Sequence, residues 1–95
     1  MFEHPNAYGQ YGYDATNPLL AEDIPSGYKL LNKLRLKSGG KITYERLGST
    51  LAPNLPYPVD RYRICNASGV EIAILHVYIY YFATVFKAPE GFRIE

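Results

Sequence analysis

The sequence predicts a small α+β domain in which one amphipathic helix packs on an antiparallel β-meander of three strands or slightly more. Three observations carry that prediction. The run from Val70 to Phe82 is apolar or aromatic on both faces of an extended strand. Ile24 to Leu34 repeats its apolar side chains at helical spacing. Lys41 to Leu47 and Asp60 to Cys65 alternate at strand spacing, with turn residues after the second.

Residues 1–16 hold Pro5, Gly9 and Gly12 among Tyr8, Tyr11 and Tyr13 and show neither period. They are expected to form an irregular N-terminal arm, dispensable for folding, ahead of a single domain over 17–95. In the helix, Asp23 can accept from the free donors of the first turn, and Pro25 suits an early position because its missing N–H costs nothing there. Ile24, Gly27, Tyr28, Leu30, Leu31 and Leu34 share one arc, while Lys29, Asn32, Lys33 and Lys37 fall outside it. Gly39 and Gly40 are expected to close this helix.

In the first expected strand Ile42 and Tyr44 share one face and Thr43 and Glu45 the other, with a break at Gly48 and Ser49. Pro53, Pro56 and Pro58 exclude a regular strand before Val59. Tyr62 and Ile64 then point one way and Arg61 and Arg63 the other. Asn66-Ala67-Ser68-Gly69 has hairpin-turn chemistry and leads into the long strand. That strand places Val70, Ile72, Ile74, His76, Tyr78 and Tyr80 on one side and Ala73, Leu75, Val77, Ile79 and Tyr81 on the other, so it must be covered twice. Phe86 and Phe92, flanking the turn at Ala88 to Gly91, are expected to return over an open edge of the core.

Composition narrows the function classes. Ten basic against nine acidic residues give a formal charge of +1, which supplies no global field toward nucleic acid or an anionic membrane. The long apolar run falls short of the about 20 residues a spanning helix needs, and Glu71 and His76 interrupt it. No basic segment followed by an apolar one opens the sequence. With a single cysteine, Cys65, these points lead to an expectation of a cytoplasmic protein without membrane contact.

Catalytic and cofactor motifs are not legible. His4 and His76 have no partner at a spacing that builds a nucleophile, and two histidines with one cysteine give no zinc pattern. Ser38-Gly39-Gly40-Lys41 lacks the hydroxyl residue after the lysine and follows a helix where a phosphate-binding loop precedes one. The expectation is therefore no enzyme, no catalytic residue, no metal and no cofactor.

Several short anchors resemble, in order and spacing, a family of small uncharacterised bacterial proteins. They are Asn17-Pro18, the helix ending Leu34-Arg35, Arg46-Leu47-Gly48-Ser49, Asp60-x-Tyr62 and Ala88-Pro89-Glu90-Gly91-Phe92. The resemblance implies a bacterial protein of the same architecture, and it brings no activity with it. Members of that family carry an aspartate, a tyrosine and a His-Pro pair late in the long strand, where this chain reads Tyr78, Tyr80, Tyr81 and Phe82. Only the tyrosine is kept.

Ten tyrosines and no tryptophan suit surfaces that are half buried and half wet. A two-sided strand of about 12 residues would run roughly 40 Å, long for a domain this small. Tyr78, Tyr80, Tyr81 and Phe82 at its far end are accordingly the expected protein-binding residues, for a partner protein or a second copy. The expected function is a small non-catalytic protein acting through a protein interface, an antitoxin or immunity-type partner being its most concrete form. The alternative is a nucleic-acid-binding face of Arg46, Arg61 and Arg63, weakened because Glu45 and Glu71 can pair with those arginines across strands.

Overall fold

The computed structural model of the protein describes residues 2–95. Its organising unit is the hairpin of β4 (Val59–Asn66) and β5 (Glu71–Tyr78). The Asn66 side-chain oxygen accepts from the Ser68 and Val70 amides, each at 3.0 Å. Gly69 takes a positive φ of 82°, a conformation that costs glycine little. β3 (Ile42–Thr50) pairs antiparallel with the other side of β4, as alternation predicts.

The sheet is not a plain antiparallel meander. A two-residue strand, β1 (Leu19–Leu20), pairs parallel with the far end of β5, giving the order β1-β5-β4-β3. The reason lies in the burial of β5. Leu75, His76, Val77 and Tyr78 are all buried, so the free backbone edge beside them needs a partner other than water. Leu19 and Leu20, fully buried themselves, supply one. At the opposite end β5 starts exposed at Glu71 and Ile72, so double coverage holds for its second half only.

The helix α1 (Ile24–Asn32) begins where expected, with the Asp23 side chain accepting from the Ser26 amide at 2.8 Å. It ends earlier than the helical pattern suggests. Leu34 to Leu36 form β2 (Leu34–Leu36), paired antiparallel with β6 (Phe92–Ile94) as a separate two-stranded sheet. The returning C-terminal segment offers backbone partners that a longer helix would leave unpaired. Gly39 and Gly40 therefore close the turn after β2 rather than the helix: the Gly39 amide donates to the Leu36 carbonyl at 2.7 Å and the Leu36 amide to the Gly40 carbonyl at 2.8 Å. Ile24, placed on the buried arc by spacing, is exposed.

The core has a part on each face of the sheet. On one, α1 lays Leu30 and Leu31 over Tyr62, Ile64, Leu75 and Val77, joined by Leu34, Phe92 and Tyr11. Gly27 permits this approach, since a Cβ there would meet Ile79 at 3.3 Å and Val77 at 3.6 Å. On the other face Leu20, Ala52, Leu55, Val59 and Tyr78 pack together.

The segment read as an arm has no helix or strand among residues 2–16, and it packs on the domain. Tyr11 is buried in the core and its hydroxyl donates to the Lys87 carbonyl at 3.0 Å. The Gly12 carbonyl accepts from the His76 amide at 2.8 Å, and the Tyr13 hydroxyl donates to the Glu90 carbonyl at 2.6 Å. Lys87 forms an ion pair with Glu3 at 2.6 Å.

Two stability measurements check this packing. Leu31→Ala should cost about 2 to 5 kcal/mol, the usual range for truncating a buried leucine. Tyr11→Ala should cost about 3 kcal/mol, as other large buried aromatics do, and lower the melting temperature by more than about 10 °C. A loss below about 0.5 kcal/mol for Tyr11→Ala, the level of an ordinary surface change, would return residues 2–16 to the status of a loose tail.

Candidate functional site

Beyond Tyr78 the chain cannot continue as a strand. Pro56 and Pro58 precede β4 and interrupt the neighbouring backbone. On the other edge, Ala21 donates to the Tyr78 carbonyl at 2.9 Å and then accepts from the Tyr81 amide at 3.1 Å. The backbone thus wraps around the end of β1, and the four aromatic residues expected to bind a partner take different environments. Tyr78 is 2 % exposed and belongs to the core. Tyr81 is half buried against the same cluster, its ring 5.6 Å from that of His4. Tyr80 is 51 % exposed and Phe82 83 % exposed. Tyr57, from the proline-rich loop, lies 4.8 Å from Tyr80 between ring centroids, so it joins this surface without having been singled out by spacing.

The three arginines of the nucleic-acid reading are not brought together. Arg46 sits opposite Tyr62 in the β3–β4 register, on the face that carries α1. Arg61 and Arg63 point to the opposite face. Arg63 is held between Glu45 at 3.3 Å and Glu71 at 3.1 Å, the cross-strand pairing expected from the sequence. Arg46 pairs with Asp60 at 2.9 Å, which leaves Arg61 as the one of the three without an ion pair among the described residues.

Arg46 opens onto a cavity of about 270 Å³ between the first turns of α1 and the β3–β4 end of the sheet. A β-bulge builds it. The register shifts between Arg46 and Gly48, with Gly48 at φ +109° and open space where a Cβ would lie. Arg46 and Ser49 are three residues apart and would face opposite sides of a regular strand. The bulge changes that parity, so Arg46 lies beside Tyr62 and Ser49 beside Asp60, all toward the cavity. Tyr28 and Ile24, one helical turn apart, supply the wall from α1, and Pro58, Ile79 and Tyr80 complete the apolar lining. Tyr28, Tyr44 and Tyr62 pack on one another with centroids 5.9 to 6.3 Å apart. Burial, with the Tyr28 hydroxyl adding to it, holds the Tyr62 phenol well above the ordinary tyrosine range. A shallower apolar groove continues past Pro25 and shares Ile24, Ile79 and Tyr80 with the cavity.

Sequence spacing alone does not find this cavity. Strand register and the bulge bring Arg46 and Ser49 together with Asp60 and Tyr62. Among the described residues no arrangement of a nucleophile with a base stands out. The cross-strand neighbour of His76 is Arg61, not Cys65, and His76 lies on the face opposite Ser49. Among the described residues no group of three His, Cys, Asp or Glu side chains is placed to hold a metal ion. Among the described residues no helix is long and apolar enough to cross a membrane. Compared with family models, with curated proteins and with solved structures, the chain has no match.

His76 has a structural environment. Its Nδ1 is 3.1 Å from the Gly12 carbonyl oxygen, and because a carbonyl only accepts, Nδ1 carries the proton. Burial pushes the imidazole below its ordinary pKa, against the Gly12 hydrogen bond, which favours the charged form, with the Arg61 guanidinium also lowering it and Asp14 opposing. The folded pKa therefore lies under the unfolded value, and the unfolded chain takes up its proton first as pH falls. Stability should be level above about pH 7 and decline as the pH drops through about 6.5, the ordinary histidine value. Melting curves of the parent and of His76→Gln check this. The decline should be lost or much reduced in the variant, and an unchanged slope would remove His76 as its source.

Proposed function

We propose that this is a non-catalytic bacterial binding protein acting through a protein interface at the exit of β5, an antitoxin or immunity-type partner being the most concrete form. The observation that carries the reading is the exposure of Phe82, its ring 4.4 Å from that of Tyr81, and of Tyr80, which packs on Tyr57, on backbone fixed by the hydrogen bonds to Ala21 and Leu20. Large rings held out on an ordered segment cost solvation without contributing to the core. Interfaces concentrate such side chains because a rigid aromatic buries much surface with little loss of rotamer freedom. Tyr81 supports the segment from below, and Tyr78 anchors it in the core.

The nucleic-acid alternative has less support, because Arg46 is on the other face from Arg61 and Arg63 and two of the three guanidiniums already hold carboxylates. Replacing both Arg61 and Arg63 by alanine should leave folding intact. Any nucleic-acid binding would show a salt slope reduced by about 1 to 2 in that variant, one unit per lost phosphate contact, and no binding at low salt would retire the alternative.

Phe82→Lys tests the interface. The side chain is exposed, so the variant should melt as the parent does, whereas a lysine desolvated in an interface is expensive. Sedimentation of the parent, alone and mixed with the product of the neighbouring gene, should reveal an associated species. Phe82→Lys should weaken that species by at least about tenfold, about 1.4 kcal/mol. A parent monomeric in both settings, or a variant that associates equally well, would contradict the reading.

A further inference from the structure

From the lining of the cavity under α1 we infer that it binds one neutral polyhydroxylated ring, a monosaccharide unit. This goes beyond the interface reading and rests on different groups, with Tyr80 alone common to both surfaces.

The charges come first. Arg46 and Asp60 are the charged side chains lining the cavity, and they form a pair, so the site is neutral overall. An anion placed there would meet the Asp60 carboxylate, and a cation would meet the Arg46 guanidinium. A neutral ligand meets neither penalty.

Hydrogen-bonding capacity comes next. Arg46 reaches Asp60 through one contact, Nη2 to Oδ1 at 2.9 Å. Among the described residues the second Asp60 oxygen has no protein donor, and the Ser49 hydroxyl makes no side-chain hydrogen bond. These groups are not sealed in: the buried polar atoms that lack partners are the side-chain oxygens of Asn17 and Asn54, away from the cavity. Although the Asp60 side chain is only 14 % exposed, it can still accept. Arg46 donates, Asp60 accepts, the hydroxyls of Ser49 and Tyr28 can do either, and that of Tyr62, whose proton goes to Tyr28, can accept. Neighbouring donors and acceptors of this kind match vicinal hydroxyls, each of which both gives and takes a hydrogen bond. A carboxamide would use two of the five groups and leave the rest facing an apolar surface, and an aromatic hydrocarbon ring would satisfy none.

Shape and wall chemistry agree. Ile24, Pro58, Ile79 and the rings of Tyr28 and Tyr80 form the remaining lining, suited to the C–H face of a pyranose. About 270 Å³ is at the small end of ligand sites, enough for one ring with its remaining substituents toward solvent.

The experiment is a titration of the ¹⁵N-labelled full chain, followed by amide shifts. The probes are glucose, galactose, mannose and N-acetylglucosamine, each as the free sugar and as a trisaccharide, up to about 100 mM, well above the millimolar range of weak sites. Acetamide, acetate and guanidinium serve as comparison ligands. We expect saturable shifts with at least one sugar, centred on Tyr28, Arg46, Ser49, Asp60 and Tyr62. Asp60→Asn should weaken binding by about tenfold, the loss expected of a hydrogen bond to a charged group. Ser49→Ala, which removes one hydroxyl from a partly exposed position, should weaken it measurably and covers the case in which Asp60→Asn unfolds. A trisaccharide binding tighter than its monosaccharide identifies a glycan chain as the source, and equal affinities identify the free sugar. The inference is overturned if no sugar gives saturable shifts, if the shifts map away from the cavity, or if acetamide, acetate or guanidinium binds more tightly than every sugar. That failure would leave the interface reading standing, because Phe82 lies outside the cavity.

Discussion

The second half of β5 is buried on both faces and along one edge, and the rest of the structure answers that constraint. Leu75 and Val77 need an apolar cover on one side, which α1 provides through Leu30 and Leu31. Tyr78 needs one on the other, found in Leu20, Leu55 and Val59. The backbone edge needs donors and acceptors, supplied by β1 and, one step earlier along the strand, by Gly12. A strand covered on one face would leave no reason for the N-terminal segment to pack where it does. Here the N-terminal segment and the strand bury each other.

The candidate surfaces follow from how the strand ends. With β1 only two residues long and prolines ahead of β4, there is no ladder for Ile79 to Phe82 to join. The backbone turns around Ala21 and raises Tyr80 and Phe82 into solvent. On the helix side, the bulge in β3 gathers Arg46 and Ser49 toward Asp60 and Tyr62. Both sites therefore lie at the same end of the sheet, where regular pairing stops. Regular strands bury the core, and their interruptions present the chemistry.

Much of this was legible from local pattern. Asp23 with Pro25 marks the start of α1, and alternation in Asp60 to Cys65 gives the faces of β4 correctly. The Asn66 to Gly69 turn reads directly from its residues. What pattern could not give depends on distant partners. Leu34 fits the helical arc and also alternates with Leu36 at strand spacing, and Phe92 to Ile94, far along the chain, decides between the two. The apolar run from Val70 to Phe82 reads as one strand because apolar character does not record where the neighbouring strands end. Tyr11 and Tyr13 carry no period, since an irregular segment buries single residues rather than a face. The cavity escaped for a related reason: Arg46 and Asp60 become neighbours only through register and one extra residue at Leu47.

The most direct measurement of this account is native-state hydrogen exchange at the His76 amide, whose acceptor is the Gly12 carbonyl. If the N-terminal segment and the sheet are one cooperative unit, this proton exchanges only through global unfolding. Its opening free energy then equals that of the central β4–β5 amides and that from denaturant unfolding. Exchange at a markedly lower opening free energy, with the β4–β5 amides still fully protected, would show the segment lifting from an intact sheet. The double burial of β5 would then not be what holds the fold together.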